Sequence, residues 1–458
     1  MELSICWRLV FVLRARHLIS LRLPLNIVTV RHMERVTIEK MVFGGQGMGR
    51  LADGPIAFVW NALPGEEVEI EVIKKKHGYR EGIARTILQP SVDRIEPLEP
   101  GSYLSTSPWQ MMTFEAEQRY KTEMAREAFA KLGHIEFQAL PIEGDASALY
   151  GYRNKIEFSF FTETRESPLQ LCFYARGSHQ KIAVEGSALA EPIINEVAHR
   201  VLDWLIAQKI NRLDLKTLIV RSNGQGQAIA ALFVKETLDV DVYPELTGQF
   251  KGFQIYYSNP KSPASVPTDL LYSQGDDFLL VDIQSVTMRC GLLSFFQVNQ
   301  PIFAKTLTDI QTFLGPQQHI VDVYSGVGSI GLTLASKAAS VTLVESNSEA
   351  CAYARQNVAL NKFTNVSVVE ATAERVVEEI VGDRMIILDP PRAGVHTDVI
   401  DRLLEVLPPK IAYLSCNIST QARDIQLLLG SYKIVHAALY NYFPRTPHVE
   451  SLVFLERR

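Results

Sequence analysis

Cysteine is scarce in this chain: five in 458 residues, at Cys6, Cys172, Cys290, Cys351 and Cys416. No two stand at metal-ligand spacing and no CxxC occurs, which argues against a zinc ribbon, a dithiol redox motif and a disulfide framework. Cys172 and Cys351 read as small buried residues, and the expected setting is reducing and cytoplasmic. An excess of basic residues is also missing. Forty-six Lys and Arg face 51 Asp and Glu, a net charge of -5. The chain therefore does not coat nucleic acid with its whole surface, although that total is compatible with a local basic groove. No apolar run is long enough to cross a bilayer, so no membrane association is expected. Internal repeats and low-complexity tracts are absent too.

What is present is an ordinary globular composition, 47% hydrophobic and 21% charged, long enough for two or three domains. A monomer is expected. Residues 1–33 differ from the rest. Arginines at 8, 14, 16, 22 and 31 interrupt the apolar stretches, and no small-residue cleavage site follows them. This segment is expected to be an extension or disordered arm, with Met33 as the start of the folded protein.

The fold class expected is α/β with three parts. Residues 34–90 contain short, evenly spaced strands divided by turn residues, as in a small OB-like β-barrel. The strict alternation of Val68-Glu69-Ile70-Glu71-Val72 suits a half-buried strand. Between the barrel strands, Lys74-Lys75-Lys76-His77-Gly78-Tyr79-Arg80 is either a phosphate-binding loop with a stacking aromatic or a solvated hairpin tip. Residues 91–290 form a central mixed α/β domain, with helical patterns over 114–132 and 193–208 and a hairpin at Asn223-Gly224-Gln225-Gly226. From 291 to 458 strands alternate with helices, including a helix expected over 330–338. This rhythm predicts a Rossmann-like parallel sheet, and the last two strands predict an antiparallel edge.

The residues suited to chemistry fall at the predicted carboxyl ends of those last strands, where open α/β sheets bind ligands. Gly326, Gly328 and Gly331 form a GxGxxG between strand and helix. Asp322 before them would repel a pyrophosphate but suits an ammonium, and Glu345 at the next strand end can bind ribose hydroxyls. Two acids in this order suit S-adenosylmethionine, which carries an amino acid tail, a sulfonium and a free ribose. Asp389-Pro390-Pro391-Arg392 stops a strand with a stiffened loop. Amine methyltransferases often place an aromatic after the two prolines, and Arg392 argues against simple amine methylation. Cys416 ends the next strand among Ser415, Asn417 and Thr420. A thiolate there can add to carbon 6 of a uracil and make carbon 5 nucleophilic enough to take a methyl group. The proton left on carbon 5 then needs a base, for which Glu450 and His448 both qualify by position.

These motifs together resemble the RNA (uracil-5-)-methyltransferases. The likeness rests on Phe295-Phe296-Gln297-Val298-Asn299, the Asp322 to Gly328 loop, Asp389-Pro390-Pro391-Arg392-Ala393-Gly394, Ser415-Cys416-Asn417 and the run from Phe443 to Glu450. It implies a class I methyltransferase domain in 291–458 that uses S-adenosylmethionine. Gln297, Tyr324, Glu345 and Asp389 would contact the cofactor, beside Asp322, Gly326 and Gly328. Cys416 would be the nucleophile and Glu450 the base. Residues 34–90 resemble the TRAM domain, an RNA-binding barrel found on ribosomal RNA members. The expected substrate is therefore a uridine in RNA, ribosomal first, with transfer RNA as the alternative. The same likeness marks Tyr152-Arg153-Asn154-Lys155 as a substrate segment and offers Phe296 or Phe443 as stacking residues. A departure from the family concerns metal. Relatives carry four cysteines for an iron–sulfur cluster, but Ser102 to Gln110 and Gly186-Ser187-Ala188-Leu189 contain none. No iron–sulfur cluster and no metal site are expected, and packing around Trp109 and Phe114 takes over any structural work. A cytosine-5 enzyme fits the cysteine motif less well. A catalytically dead assembly factor is disfavoured by the intact Cys416, Glu450 and Asp389.

Overall fold

The computed structural model describes residues 33–458 apart from 165, 263 and 376, so the expected arm over 1–32 lies outside the described residues. Strands Met33–Met41, Gly47–Arg50, Ile56–Trp60, Glu67–Lys76 and Tyr79–Gln89 close into a barrel. Alternation along each strand sends Val36, Ile38, Val59, Val68 and Ile70 to the barrel interior. Gly49 is required where the chain turns inward, because a Cβ there would stand 2.1 Å from the Thr37 carbonyl oxygen. The basic run lies along a hairpin and is largely neutralised by its own barrel. Lys74 pairs with Glu81 at 2.7 Å, Lys75 with Glu34 at 3.7 Å, and Arg80 with both Glu34 and Asp53.

A seven-stranded sheet follows, running in space from Asp269–Gly275 through Phe250–Tyr257, Ala228–Val234, Leu215–Ser222, Lys155–Phe161 and Gln170–Tyr174 to Lys181–Ala183. The helix Pro192–Ala207 covers one face. Its Pro at the first turn needs no donor, and Ile194, Val197, Val201 and Leu205 pack on Ile156, Phe158 and Phe160.

The C-terminal sheet has eight strands. Val366–Glu370, Ser340–Glu345, His319–Val323, Met385–Leu388 and Lys410–Ser415 are parallel neighbours in that order. Glu450–Arg457 comes next and is antiparallel to both its neighbours, Lys410–Ser415 and Tyr432–Tyr440. The antiparallel strand is thus inside the sheet, where the sequence suggested an edge. The true edge is Ile142–Glu143, which pairs in parallel with Tyr432–Tyr440.

That edge strand belongs to a stretch the sequence groups with the central part. Helix Phe114–Ala128, capped by Thr113, continues as a π-helical turn Phe129–Gly133. Its Ala125 and Phe129, with Ile135 and Leu140, enter the core under the C-terminal sheet. The hairpin Phe278–Ile283 and Val286–Gly291 likewise contributes Val281, Met288 and Cys290 to the core on the other face. Apolar periodicity along a helix or strand does not name the surface that its face covers. The helix expected over 330–338 is a single turn, Gly331–Leu334, with hydrogen-bonded turns after it.

Trp109 is fully buried in a cluster with Met41, Leu63, Tyr103, Met111 and Met124. Phe114 is not part of that cluster. Among the described residues no group of three or more His, Cys, Asp or Glu is placed to hold a metal ion, and no helix is long and apolar enough to cross a membrane.

Candidate active site

The register of two neighbouring strands positions the candidate reactive residues. Lys410–Ser415 and Glu450–Arg457 pair with Leu414 opposite Leu452 and Ser415 opposite Ser451. Cys416 directly follows the first strand and Glu450 begins the second, so the same register carried one step further would set them side by side. Because the second strand is antiparallel, its first residue lies at the carboxyl ends of the parallel strands. Asp389 directly follows Met385–Leu388 on the other side, and Glu345 ends Ser340–Glu345.

These ends surround a cavity of about 850 Å³, within the range of small-molecule sites. Gln297, Tyr324, Gly326, Glu345, Asp389, Cys416 and Glu450 all reach its wall. Asp322 and Gly328 do not. Asp322 Oδ2 accepts the Gly331 N–H at 2.8 Å and ties the loop to the strand behind the wall. Gly328 packs against Leu332 and Leu343 at φ +89°. The wall also holds Arg153, Phe295, Thr372, Arg392, Phe443 and His448. Thr372 was not anticipated, although it follows strand Val366–Glu370 and the strand-end rule reaches it. Phe296 is not a stacking residue: it is 2% exposed and packs edge-on against Phe303 at 6.3 Å. Its neighbour Phe295 is 71% exposed at the rim.

Local structure fixes the loops. Tyr324 adopts φ +69°, uncommon for an aromatic, and its hydroxyl accepts the His396 N–H at 3.3 Å. Glu345 accepts main-chain N–H groups from Gly326 at 2.9 Å, Ser346 at 2.8 Å and Asn347 at 2.7 Å. Asn417 caps the helix Ile418–Leu428 and donates to the Arg392 carbonyl at 2.8 Å, which ties together the loops after two strands.

The loop that carries Glu450 is held from beneath. Buried Lys121 donates to Glu117 at 2.7 Å, to Asn441 Oδ1 at 2.6 Å and to the Phe443 carbonyl at 3.1 Å. Glu117 in turn accepts the Arg445 N–H at 3.0 Å, which steadies Arg445 at φ +63°. Tyr152 donates to the Pro444 carbonyl at 2.9 Å. Trp109 donates its indole N–H to Gly45 of the barrel at 3.0 Å, and any Cβ on Gly45 would strike Pro447 at 2.5 Å. The barrel therefore rests directly on this loop.

Burial dominates the electrostatics. It pushes Asp389 up to about 7 and Glu450 well above the usual carboxylate range, with Asp389 adding to the rise and Arg392 opposing it. The Cys416 thiol is pushed up to about 11 by burial and by the Glu450 and Asp389 carboxylates, while Arg392 pulls it back. His448 falls to about 4 through burial and the nearby cations, chiefly Arg392, so at neutral pH its ring is uncharged. Only the thiolate is nucleophilic. Alkylation of Cys416 by iodoacetamide is therefore expected to accelerate about tenfold per pH unit between about pH 7 and 10. Arg392→Gln should slow it at neutral pH by raising the thiol further. Peptide mass mapping of the modified cysteine measures both, and a pH-independent rate would contradict a protonated thiol.

The wall suits a cofactor with hydroxyls and positive charge. It offers the Glu345 and Asp389 carboxylates and the buried Thr372 hydroxyl. Behind it, Asp322 Oδ1 is also buried and unpartnered, and burial pushes that carboxyl up to about 8. A bound cation would favour the ionised form of these acids.

The sheet order, the glycine loop and the acids at the strand ends define a class I methyltransferase domain joined to a small barrel. The family model described as tRNA (Uracil-5-)-methyltransferase matches residues 118–458, and the TRAM domain model matches residues 28–84. The chain belongs to the tRNA (uracil-5-)-methyltransferase family, and it is an S-adenosylmethionine-dependent RNA methyltransferase. Similar proteins named as RNA methyltransferases occur in Fusobacterium nucleatum, 26% identical over 96% of this chain and 99% of that one, and in Caldanaerobacter subterraneus, 29% identical over 94% and 100%. In fold the chain resembles the crystal structure of Pyrococcus abyssi tRNA (uracil-54, C5)-methyltransferase in complex with S-adenosyl-L-homocysteine. That likeness has a TM-score of 0.74 at 24% identity and covers 92% of this chain and all of the other.

Proposed function

We propose that the enzyme methylates carbon 5 of a uridine in RNA through a transient bond between Cys416 and the base. The observation that carries this reading is that Cys416, just past one strand, and Glu450, first in its antiparallel neighbour, reach one cavity wall with Asp389, Tyr324 and Glu345. S-adenosylmethionine supplies an electrophilic methyl group on a sulfonium. Gln297, Tyr324, Glu345 and Asp389 are the residues proposed to hold it, with Gly326 letting the chain pass close by. Asp322 and Gly328 then support the loop without touching the ligand.

The uridine must leave its stack to reach the cavity. Phe295 at the rim is suited to stack on it or a neighbour, and Arg153 lies 5.9 Å over the Phe443 ring as a second platform. The Cys416 thiolate adds to carbon 6 and the ring electrons move toward carbon 5 and the carbonyl oxygen. Carbon 5 forms its bond to the methyl group as the sulfonium sulfur takes the electron pair. Glu450 removes the carbon 5 proton, the double bond re-forms and the thiolate departs. Glu450 is preferred to His448 as the base. It begins a strand opposite the sulfur, and its raised affinity for protons makes it the stronger acceptor once ionised. His448 lies in the preceding loop with its ring edge-on to Phe443 at 6.0 Å.

Glu450→Gln is expected to stop the reaction after methylation, leaving protein bound to RNA through sulfur. Denaturing gel electrophoresis with radiolabelled RNA and S-adenosylmethionine detects that adduct as a slow band. Its absence, with RNA binding intact, would remove Glu450 from this role.

The barrel favours ribosomal RNA, because the family resemblance associates it with ribosomal members. The solved Pyrococcus abyssi relative, named for a transfer RNA position, supports the alternative. Mapping 5-methyluridine in both RNA classes from a deletion strain separates the two. A cytoplasmic setting agrees with the four described cysteines, all of which are free thiols.

A further inference from the structure

The face of the central sheet opposite the helix Pro192–Ala207 carries a second cavity, of about 450 Å³. Strand Lys155–Phe161 turns Ile156, Phe158 and Phe160 to the helix, so Glu157 and Ser159 face this cavity. Four cations share its wall: Lys181, Arg212, Lys216 and Lys235. Their ammonium groups are oriented by neutral acceptors. Lys181 donates to the Phe160 carbonyl at 2.7 Å and Lys235 to the Leu213 carbonyl at 3.1 Å. Lys216 donates to Ser258, to the Asn259 carbonyl and to the Ala264 carbonyl at 2.9, 3.1 and 2.7 Å. Arg212, itself half-buried, comes from the turn Arg212–Asp214.

The single carboxylate on the wall, Glu157, accepts the Ser265 hydroxyl at 2.8 Å. Four positive groups therefore face one negative group around an open space. Lys235 bears the mark of this crowding: after burial, the charges of Arg212, Lys181 and Lys216 lower its affinity for a proton, and Asp214 opposes them. Four like charges outnumbering the nearby carboxylates raise the free energy of the folded protein, and an anion in their midst offsets that. A guanidinium fork, two ammonium groups with donors remaining and hydroxyls from Ser159 and Thr217 suit a phosphate oxyanion.

The source of the phosphate follows from the strand. Arg153, two residues before Lys155–Phe161, lines the active cavity, and Ser159 lines this one. Six residues of extended chain separate them by on the order of 20 Å. RNA presented to Cys416 thus has the second cavity within reach of its backbone. We infer that the Lys181, Arg212, Lys216 and Lys235 cavity of the central sheet holds a backbone phosphate of the RNA substrate. This inference rests on the RNA reading above.

The test uses the full chain and transcripts of both RNA classes, with binding measured across salt concentrations. Arg212→Gln is expected to reduce the slope of log affinity against log salt by about one, and Lys181→Gln/Lys235→Gln by about two. Affinity for S-adenosyl-L-homocysteine should stay unchanged in each variant, which reports an intact fold. An unchanged slope in Arg212→Gln overturns the inference. If inorganic phosphate then raises the melting temperature of the wild-type chain but not of Arg212→Gln, a free phosphate is the ligand in place of RNA. Wild-type protein that binds neither transcript overturns the RNA reading itself, and with it this one.

Discussion

Methyl transfer is expected to fall by about 10⁴-fold or more when Cys416 is replaced by alanine, while RNA and S-adenosylmethionine still bind. The size of the effect follows from the chemistry of the base. Carbon 5 of uracil does not attack a methyl donor until the ring carries extra electron density, and in the proposed reaction the sulfur bond to carbon 6 provides it. No neighbour can take over. The Ser415 hydroxyl is buried and exchanges hydrogen bonds with Asn417, accepting its N–H at 3.1 Å and donating to its carbonyl at 3.2 Å. The remaining cysteines among the described residues are buried in other parts of the fold. Incorporation of labelled methyl groups into unmodified RNA measures the loss. Turnover within about tenfold of wild type would show that the ring is activated without this sulfur. Combining Cys416→Ala with Glu450→Gln sharpens the result, because the slow band expected of Glu450→Gln must vanish.

Much of this site was legible because it obeys one rule: residues after the carboxyl ends of parallel strands meet. Glu345, Asp389 and Cys416 were found that way, and Tyr324 and Gln297 through resemblance. The rule also explains one exception, and another falls outside it. Asp322 lies inside strand His319–Val323, so its carboxylate points to the loop's own Gly331 and not to the cavity. Phe295 and Phe296 alternate, and nothing in a short unpaired stretch tells which of two phenylalanines is inside. Long-range partners were out of reach for a related reason. The run Lys74 to Arg80 looks uniformly basic until Glu34, Asp53 and Glu81 are brought against it. The helix Phe114–Ala128 has a clear apolar stripe, yet the surface it covers is formed by residues about 300 positions later, as in the contact of Lys121 with Asn441.

Lys121→Met is expected to lower the stability of the C-terminal half by about 3–5 kcal/mol. Lys121 and Glu117 are both fully buried, and burial already disfavours the charge on Lys121, with Glu117 alone opposing that effect and Arg445 adding to it. Removing the ammonium strands the Glu117 carboxylate in the interior. It keeps hydrogen bonds from Asn441 at 2.9 Å and the Arg445 N–H at 3.0 Å, but its nearest remaining cation is the Arg445 guanidinium at 4.0 Å. Adding Glu117→Gln removes the stranded charge and keeps an acceptor oxygen for one of those two donors, so the double variant should regain more than half of the loss. Urea unfolding followed by far-ultraviolet dichroism compares the three proteins. A single variant within about 1 kcal/mol of wild type, or a double variant no better than the single, would mean the pair is not what holds the interior together. The same network reaches catalysis, since Lys121 also grips Asn441 and the Phe443 carbonyl at the base of the loop leading to Glu450. In the double variant stability returns but that grip does not. Release of product should therefore remain slow, with covalent adduct accumulating in the presence of an intact Glu450, whereas a purely structural pair would restore both together.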